Sequence, residues 1–263
     1  MLAEDRRKQL LDLVKGRGFI TLTDLARELG VSESTARRDL DHWQDRGVLK
    51  RIHGGAMSAE DGHGLPALEA RANSQVAEKR RIAHAAAAQV RDGEAILLDG
   101  GTTTLELARQ LVGRSLQIVT NSLPIANLFA NSRETELVML GGYIYPATGV
   151  ALGPLTIQMM KGLHVQRAFL SVAGITAKGL FNSNPLLVET ERQMMRCADE
   201  VTVLADHTKI GRQALAFLCA ISVIDTLIID NDLSAVQRKI LRGAHVVIAG
   251  GSTHSGNGRR SKS

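Results

Sequence analysis

Cysteine is scarce in this sequence, and so are the other marks of secreted, membrane and metal-binding proteins. The 263 residues contain two cysteines, Cys197 and Cys219, too few for a disulfide framework. No run approaches the ~18 consecutive apolar residues of a membrane-spanning helix, and residues 1–8 lack the apolar core of a signal peptide. The eight histidines are scattered without the spacing of metal ligands. We therefore expect a cytoplasmic protein with reduced thiols and with no membrane contact, metal or cofactor.

Charge is unevenly placed along the chain. Residues 1–57 and the last five residues are net basic, whereas the long segment between them is neutral. With a net charge of +5, this distribution indicates that any contact with nucleic acid lies near the ends of the chain. The Gly/Ser-rich stretch 251–263 is expected to be a disordered basic tail.

The most informative stretch is VSESTARRDL, residues 31–40. Ser32 is placed to cap a helix, and Ala36, Leu40 and Trp43 recur with the spacing of one buried stripe. The opposite face carries hydroxyl and guanidinium groups, which can contact the base edges and phosphates of double-stranded DNA. A solvated surface helix is the plainer alternative. The DNA-contacting residues predicted on this helix are Ser34, Thr35, Arg37 and Arg38.

The rest of residues 1–57 predicts a small domain around this helix. An apolar side predicts a first helix that leaves Arg6 and Arg7 in solvent, and a capping sequence at Thr21 predicts a second. A short turn then leads into the DNA-contacting helix, as in a helix-turn-helix. Beyond that helix, apolar and basic residues alternate, which predicts a wing strand facing phosphates. The wing residues predicted to contact phosphates are Lys50, Arg51 and His53.

Two further segments follow the DNA-binding domain. Residues 58–74 begin with a polar, glycine-rich run and predict a flexible linker. Residues 75–250 alternate short apolar runs with helical segments, the pattern of a largely parallel sheet covered on both faces. The predicted strands begin near residues 95, 116, 136, 168, 201, 226 and 246. The fold class is therefore α/β, a winged helix-turn-helix followed by a larger α/β domain.

The first of these strands runs into DGGTTT, residues 99–104. A buried strand, a turn of small residues and a helix N-terminus form an anion cradle, because free amides and the helix dipole both favour phosphate. A tight turn with a threonine cap is the alternative. Small or polar residues also follow other strands, where ligands bind in sheets of this kind. The predicted site residues are Asp99, Gly100, Gly101, Thr102, Thr103, Thr104, Asn121, Ser122 and Gly142.

These motifs resemble the DeoR family of bacterial sugar-responsive regulators. The resemblance rests on VSESTARRDL and GVLKRIHGGA in the N-terminal part, and on residues 99–103, 119–122, 141–142 and 206–209 in the C-terminal part. The family implies a DNA-binding repressor of a carbohydrate catabolism operon, which binds operator DNA as a homodimer or homotetramer. It also implies an effector that is a phosphorylated sugar or sugar acid.

The effector domain of that family is in turn similar to ribose-5-phosphate isomerase, whose phosphate loop matches Gly100 to Thr104. The resemblance assigns Lys209 to neutralising the effector's anionic group and aligns Glu191 with the isomerase's catalytic glutamate, so both residues are predicted to bind the effector. The isomerase's paired aspartates are missing from Val172–Ile175, so we expect no catalytic residue and no enzyme activity. Two alternatives stay open. One is an isomerase with a DNA-binding appendage, and the other is a constitutive DNA-binding protein whose second domain only oligomerises.

Overall fold

The computed structural model describes residues 3–17, 19–52, 55–58, 68–146, 148–230 and 233–250. These residues form an N-terminal winged helix-turn-helix and a larger α/β domain, as the sequence predicts. His53, residues 59–67 of the predicted linker and the predicted tail 251–263 lie outside the described residues. Within the described ranges, no helix is both long enough and apolar enough to cross a membrane.

Three helices and a three-stranded antiparallel sheet make up the N-terminal unit. The helices are α1 (Ala3–Arg17), α2 (Leu22–Leu29) and α3 (Glu33–Gln44), and the strands are β1 (Phe19–Thr21), β2 (Leu49–Ile52) and β3 (Gly55–Ser58). Strand β3, which the sequence did not predict, pairs with both β1 and β2. One core holds the unit together, and Leu10, Leu25 and Leu40 are among its fully buried side chains.

The turn between α2 and α3 is set by caps that the sequence predicted. Thr21 caps α2 by accepting the Asp24 N–H at 3.1 Å, and Ser32 caps α3 by accepting the Thr35 N–H at 3.3 Å. Between the two helices, Gly30 has a φ of 64°, a left-handed conformation that glycine adopts without the steric cost of a Cβ. Local sequence therefore determines where both helices of the motif begin.

A seven-stranded parallel sheet forms the centre of the larger domain. Its strands in chain order are β4 (Ala95–Leu98), β5 (Leu116–Thr120), β6 (Thr135–Met139), β9 (Val165–Ser171), β12 (Ala198–Ala205), β14 (Thr226–Ile229) and β15 (His245–Ile248). Across the sheet the order is β15-β14-β12-β9-β4-β5-β6, and every neighbouring pair is parallel. All seven strands coincide with runs that the sequence predicted.

Helices cover both faces of this sheet. They are α4 (Leu68–Ala72), α5 (Val76–Ala87), α6 (Thr102–Leu111), α7 (Leu123–Phe129), α8 (Pro154–Met160), α9 (Pro185–Arg196) and α10 (Ala235–Ile240). Alternate residues of β4 enter different cores, since Leu97 packs in the cluster that contains α9 residues and Ile96 packs in the cluster that contains α5 and α6 residues.

Several small elements were not predicted from the sequence. A hairpin joins β7 (Tyr143–Tyr145) and β8 (Val150–Leu152), and an antiparallel sheet contains β10 (Gly174–Thr176), β11 (Gly179–Asn182) and β13 (Ala216–Cys219). Helix α4 lies within residues 58–74, so part of the predicted linker is helical.

Candidate functional site

The outer face of α3 carries the residues predicted to contact DNA bases. Ser34, Arg37 and Arg38 are exposed, Thr35 is half-buried, and Ala36 packs inward. Arg38 Nε donates to the Ser34 backbone oxygen at 3.4 Å, which lays the guanidinium along the outer surface of the helix. The structure therefore brings these four residues together on one face, in the arrangement that a helix needs to enter the major groove.

Asp39, unlike the exposed Arg37 and Arg38 before it, points inward and joins α3 to α1. It is buried, and its carboxylate accepts hydrogen bonds from Arg6 Nε at 2.6 Å and from Arg7 Nε at 3.0 Å. Burial raises the pKa of Asp39, but the two guanidinium groups outweigh it and hold the pKa below its ordinary value. The expectation that Arg6 and Arg7 are solvated was wrong, because both pair with this buried carboxylate.

Arg51 lies on strand β2 of the predicted wing. Its exposed side chain forms an ion pair with Asp41, which links β2 to α3. A phosphate bound by Arg51 must therefore compete with Asp41. Lys50 lies on β2, but its side chain, like all of His53, is outside the described part of the chain.

A cavity of about 230 Å³ lies in the larger domain at the carboxyl ends of its central strands. From β4 the chain builds the sheet outward through β5 and β6, and from β9 it builds outward in the other direction. Ligands of open α/β sheets bind where this direction changes, which here is between β4 and β9. The cavity wall contains residues that follow or end β4, β9 and β12, together with side chains from α4, α5, α9 and β11.

The predicted anion cradle forms one side of this cavity. Gly101 precedes α6, and Thr102 and Thr103 form the first turn of that helix and line the cavity. Amides in a first helical turn have no acceptor within the helix, so the turn offers donors and the positive end of the dipole. A side chain at Gly101 would collide with Ser171 at the end of β9, which explains why glycine stands there.

Four cationic side chains also line the cavity: Arg71, Lys79, Lys209 and Arg212. Lys79 is buried, and its Nζ donates to the backbone oxygens of Arg71 and Ser74 at the C-terminal end of α4. Burial lowers the pKa of both Lys79 and Lys209, while the nearby Asp206 opposes the shift. An anion placed among these groups would stabilise their charged forms.

Two buried carboxyl groups, Asp99 and Glu191, form another part of the wall. Asp99 Oδ2 accepts hydrogen bonds from the Ser171 N–H and Oγ, each at 3.4 Å. Glu191 Oε1 accepts one from Asn182 Nδ2 at 2.5 Å, whereas its Oε2 has no partner among the described residues. Burial raises the pKa of both carboxyl groups, and the neighbouring Asp99 raises that of Glu191 further.

The structure brings together most, but not all, of the predicted effector residues. Those that line the cavity are Asp99, Gly100, Gly101, Thr102, Thr103, Glu191 and Lys209, and those outside its wall are Thr104, Asn121, Ser122 and Gly142. Thr104 is buried inside α6, where its Oγ1 accepts the Gly101 N–H at 2.8 Å and holds the cradle in shape.

Strand order explains the other three positions. Asn121 and Ser122 follow β5, which lies on the side of β4 away from β9, and Gly142 lies beyond the edge strand β6. Asn121 Nδ2 donates to the Ala151 backbone oxygen at 3.1 Å, and Ser122 caps α7. The sequence shows that these residues follow strands, but it does not show which strands are neighbours.

Sequence reasoning missed several residues of the cavity wall: Arg71, Ser74, Lys79, Thr148, Ser171, Asn182, Asp206 and Arg212. Lys79 carried a usable signal, because it shares the helical spacing of Ile82, Ala83 and Ala86, all buried on one face of α5. A cation in an apolar stripe indicates a buried site rather than a solvated one. Asn182 carried no such signal, since its strand was not predicted.

Both units match the same family. Residues 6–61 match the DeoR-like helix-turn-helix domain, and residues 74–231 match the DeoR C terminal sensor domain. The chain belongs to the DeoR family. Within that family, the helix-turn-helix implies DNA binding and the sensor domain implies a small-molecule effector.

Full-length relatives of this DeoR-family chain are transcriptional regulators. The HTH-type transcriptional regulator UlaR of Shigella sonnei is 31% identical over 231 residues, which cover 87% of this chain and 91% of the relative. The glycerol-3-phosphate regulon repressor of Escherichia coli K12 is 29% identical over 248 residues, covering 94% of this chain and 98% of the relative. The chain is therefore a transcriptional regulator rather than an enzyme, and the alternative of an isomerase with a DNA-binding appendage is set aside.

Solved structures show weaker likeness. Ribose 5-phosphate isomerase A from Methanocaldococcus jannaschii has a TM-score of 0.39 and 21% identity, over 52% of this chain and 55% of the isomerase chain. The eIF2B beta subunit from Chaetomium thermophilum has a TM-score of 0.40 and 12% identity, over 86% of this chain and 63% of that subunit. Likeness of this size has no bearing on function, so the family assignment rests on the sequence matches.

Proposed function

We propose that this DeoR-family regulator represses a carbohydrate catabolism operon and that a phosphorylated sugar or sugar-acid metabolite controls its hold on the operator. The observation that carries the effector class is the convergence of four cationic side chains and the N-terminus of α6 on one cavity. Repression as the direction of control is supported by the relative named as the glycerol-3-phosphate regulon repressor.

A phosphate group suits the cationic side of the cavity. A phosphate monoester carries about 1.5 to 2 negative charges at neutral pH and several strong acceptor oxygens, so it needs both cations and N–H donors. Lys79 and Lys209 supply charge, and the first turn of α6 at Thr102 and Thr103 supplies amides. A bound anion lowers the free-energy cost of keeping each buried lysine charged, because it compensates for the hydration that burial removed.

At the other end of the chain, α3 would enter the major groove of the operator. Arg38 and Arg37 would read base edges or anchor phosphates, with Ser34 and Thr35 beside them. Lys50, Arg51 and His53 of the wing would contact the backbone. We further propose that the protein acts as a homodimer or homotetramer, so that two such helices contact paired half-sites separated by whole helical turns.

The second candidate is a constitutive DNA-binding protein whose larger domain only oligomerises. A protein of that kind needs no cavity lined by converging charges. Its stability would gain nothing from burying Lys79 and Glu191 in a cavity wall. The two functions differ in whether a small anion binds the larger domain.

A thermal-shift screen tests the proposal. Wild-type protein is heated with phosphorylated sugars and sugar acids, each compared with its unphosphorylated counterpart, and a true effector at ~100 times its dissociation constant should stabilise the fold by about 2.7 kcal/mol. Lys209→Met should lose this stabilisation because it removes a cation from the cavity wall. Lys161→Met, which changes an exposed lysine, should keep it. If no phosphorylated compound stabilises the wild type, the proposed effector class is wrong.

A further inference from the structure

Glu191 holds a hydrogen-bonding atom that the protein itself does not use. Its side chain lines the cavity although the residue is only 1% exposed. Oε1 accepts the Asn182 Nδ2 donor at 2.5 Å, which fixes the carboxyl group, while Oε2 has no partner among the described residues. A buried polar atom is normally paired, so an unpaired one on a cavity wall points to a ligand that pairs with it.

This carboxyl group lies on α9, whereas the lysines proposed to hold a phosphate lie on α5 and just after β12. The charges that act most on Glu191 are those of Asp99 and Arg192. Among charged groups, Asp206 acts most on the pKa of Lys79 and of Lys209, while Arg71 and Asp99 shift each other's pKa. The cavity thus has a cationic part and a carboxyl part, and a ligand that fills it meets both.

We propose that Glu191, positioned by Asn182, selects effectors that carry hydroxyl groups, with its Oε2 hydrogen-bonded to an effector oxygen away from the phosphate. This inference rests on the proposed function, since it takes a phosphate to occupy the cationic part of the same cavity. It assigns recognition of the effector's hydroxylated part to one carboxyl group, which the proposed function leaves open.

The neutral carboxyl group is the form that makes this contact. Because Asn182 occupies Oε1, a proton on Glu191 lies on Oε2 and is donated to the effector oxygen. Burial and the nearby Asp99 raise the pKa of Glu191, so the neutral form persists to higher pH than in an exposed glutamate. An ionised Glu191 can only accept a hydrogen bond, and its charge repels the anionic effector, so affinity should fall as pH rises through this raised pKa.

The other titratable groups near Glu191 do not reverse the predicted fall of affinity with rising pH. Besides Asp99 and its own neighbour Arg192, Glu191 faces Cys219 of β13. The pKa of the Cys219 thiol is raised to about 11, first by burial and then by Glu191, so the thiol stays neutral in the tested range. The phosphate of the ligand also titrates near pH 6, which calls for a variant that isolates Glu191.

Matched ligands with and without hydroxyl groups provide the test. Dissociation constants are measured by calorimetry for glycerol 3-phosphate against n-propyl phosphate, and for glucitol 6-phosphate against n-hexyl phosphate, with inorganic phosphate as the minimal probe. In the wild type, at least one hydroxylated member should bind about tenfold or more tightly than its alkyl partner, as expected for a hydrogen bond that otherwise leaves a buried group unpaired. Equal affinity within both pairs would overturn the inference.

Two substitutions then assign the preference to Glu191. Glu191→Gln keeps a donor in place of the protonated oxygen and should retain the preference, whereas Glu191→Leu should abolish it. Glu134→Gln, at an exposed glutamate of the same domain, serves as the control. A preference that survives Glu191→Leu would contradict the proposal. If Glu191→Leu does not fold, the Glu191→Gln comparison below decides.

The pH dependence supplies that comparison. Affinities are measured between pH 6 and 9, and as pH rises through the raised pKa of Glu191 the wild type should lose affinity for the hydroxylated ligand relative to Glu191→Gln, which cannot ionise. Parallel profiles would overturn the role of the proton on Glu191. Failure of the proposed function is distinguishable, because in that case inorganic phosphate and all four esters would fail to bind either protein.

Discussion

Arg38 and Asp39 are adjacent in the chain but lie on different sides of α3. Arg38 is exposed on the outer face, whereas Asp39 is buried and hydrogen-bonded to Arg6 and Arg7 of α1. Successive helical residues differ by about 100° in direction, so one charged run supplies both a DNA-contacting surface and an anchor for the helix. Trp43 reinforces this anchor by donating its Nε1–H to the Arg7 backbone oxygen at 2.8 Å.

We expect substitutions of Arg38 and of Arg51 to remove different kinds of DNA contact. Arg38→Ala should weaken operator binding by about 1–3 kcal/mol and relax the preference at one base pair, because a bidentate contact to guanine is removed. Arg51→Ala should weaken binding to all sequences alike and reduce the salt slope by about 1, because it removes a phosphate contact. Fluorescence anisotropy measures both, with DNA selected by the wild type and its single-base variants at several salt concentrations.

The comparison between these two variants can contradict the assignment. If Arg38→Ala kept every base preference of the wild type, the DNA-contacting face of α3 would be wrongly placed. If Arg51→Ala changed a base preference without affecting the salt slope, the wing would read sequence rather than phosphates.

Elements that depend on local sequence were predictable, and those that depend on distant packing were not. The caps Thr21 and Ser32 and the apolar runs of all seven sheet strands were recognised because each signal lies within a few residues. The order of those strands is set by tertiary packing, so Asn121 was grouped with the cavity although β5 lies on the far side of β4. The sequence therefore shows which residues follow strands, but not which of those strand ends lie next to the cavity.

Helix α4 is a second element whose place in the site depends on distant packing. Its residues follow a polar run and were assigned to a linker, yet Arg71 and Ser74 at its C-terminal end line the cavity. Lys79 of α5 holds this end by donating to the backbone oxygens of Arg71 and Ser74. A short helix of five residues has little intrinsic stability, so such a contact decides whether it forms.

We expect Lys79→Met to loosen α4. Hydrogen exchange followed by mass spectrometry should show faster exchange at residues 68–74 than in the wild type, because the donor to the last carbonyls of the helix is lost. Lys161→Met, at an exposed site on another helix end, should leave this exchange unchanged. A phosphorylated effector should slow exchange there in the wild type. Unchanged exchange in Lys79→Met would mean that packing, not Lys79, orders α4.

If an effector controls operator binding, the cavity and the outer face of α3 must be energetically coupled. Helix α4 precedes the sensor-domain match in the chain, and Arg71 in its last turn lines the cavity, so we expect effector binding to act on α4. A coupling free energy of about 1–3 kcal/mol would change operator affinity by ~5- to 150-fold. Linkage requires operator DNA to change effector affinity by the same factor.

The most direct test is operator affinity with and without the stabilising effector, in the wild type and in Thr103→Val. Thr103 lines the cavity in the first turn of α6, so replacing its hydroxyl by a methyl group removes a polar group from the cradle with little change in shape. In the wild type, effector should shift operator affinity by ~5-fold or more. Thr103→Val should bind operator like the wild type but should not respond to effector. An operator affinity that is the same with and without every phosphorylated compound that stabilises the wild type would contradict the proposed coupling.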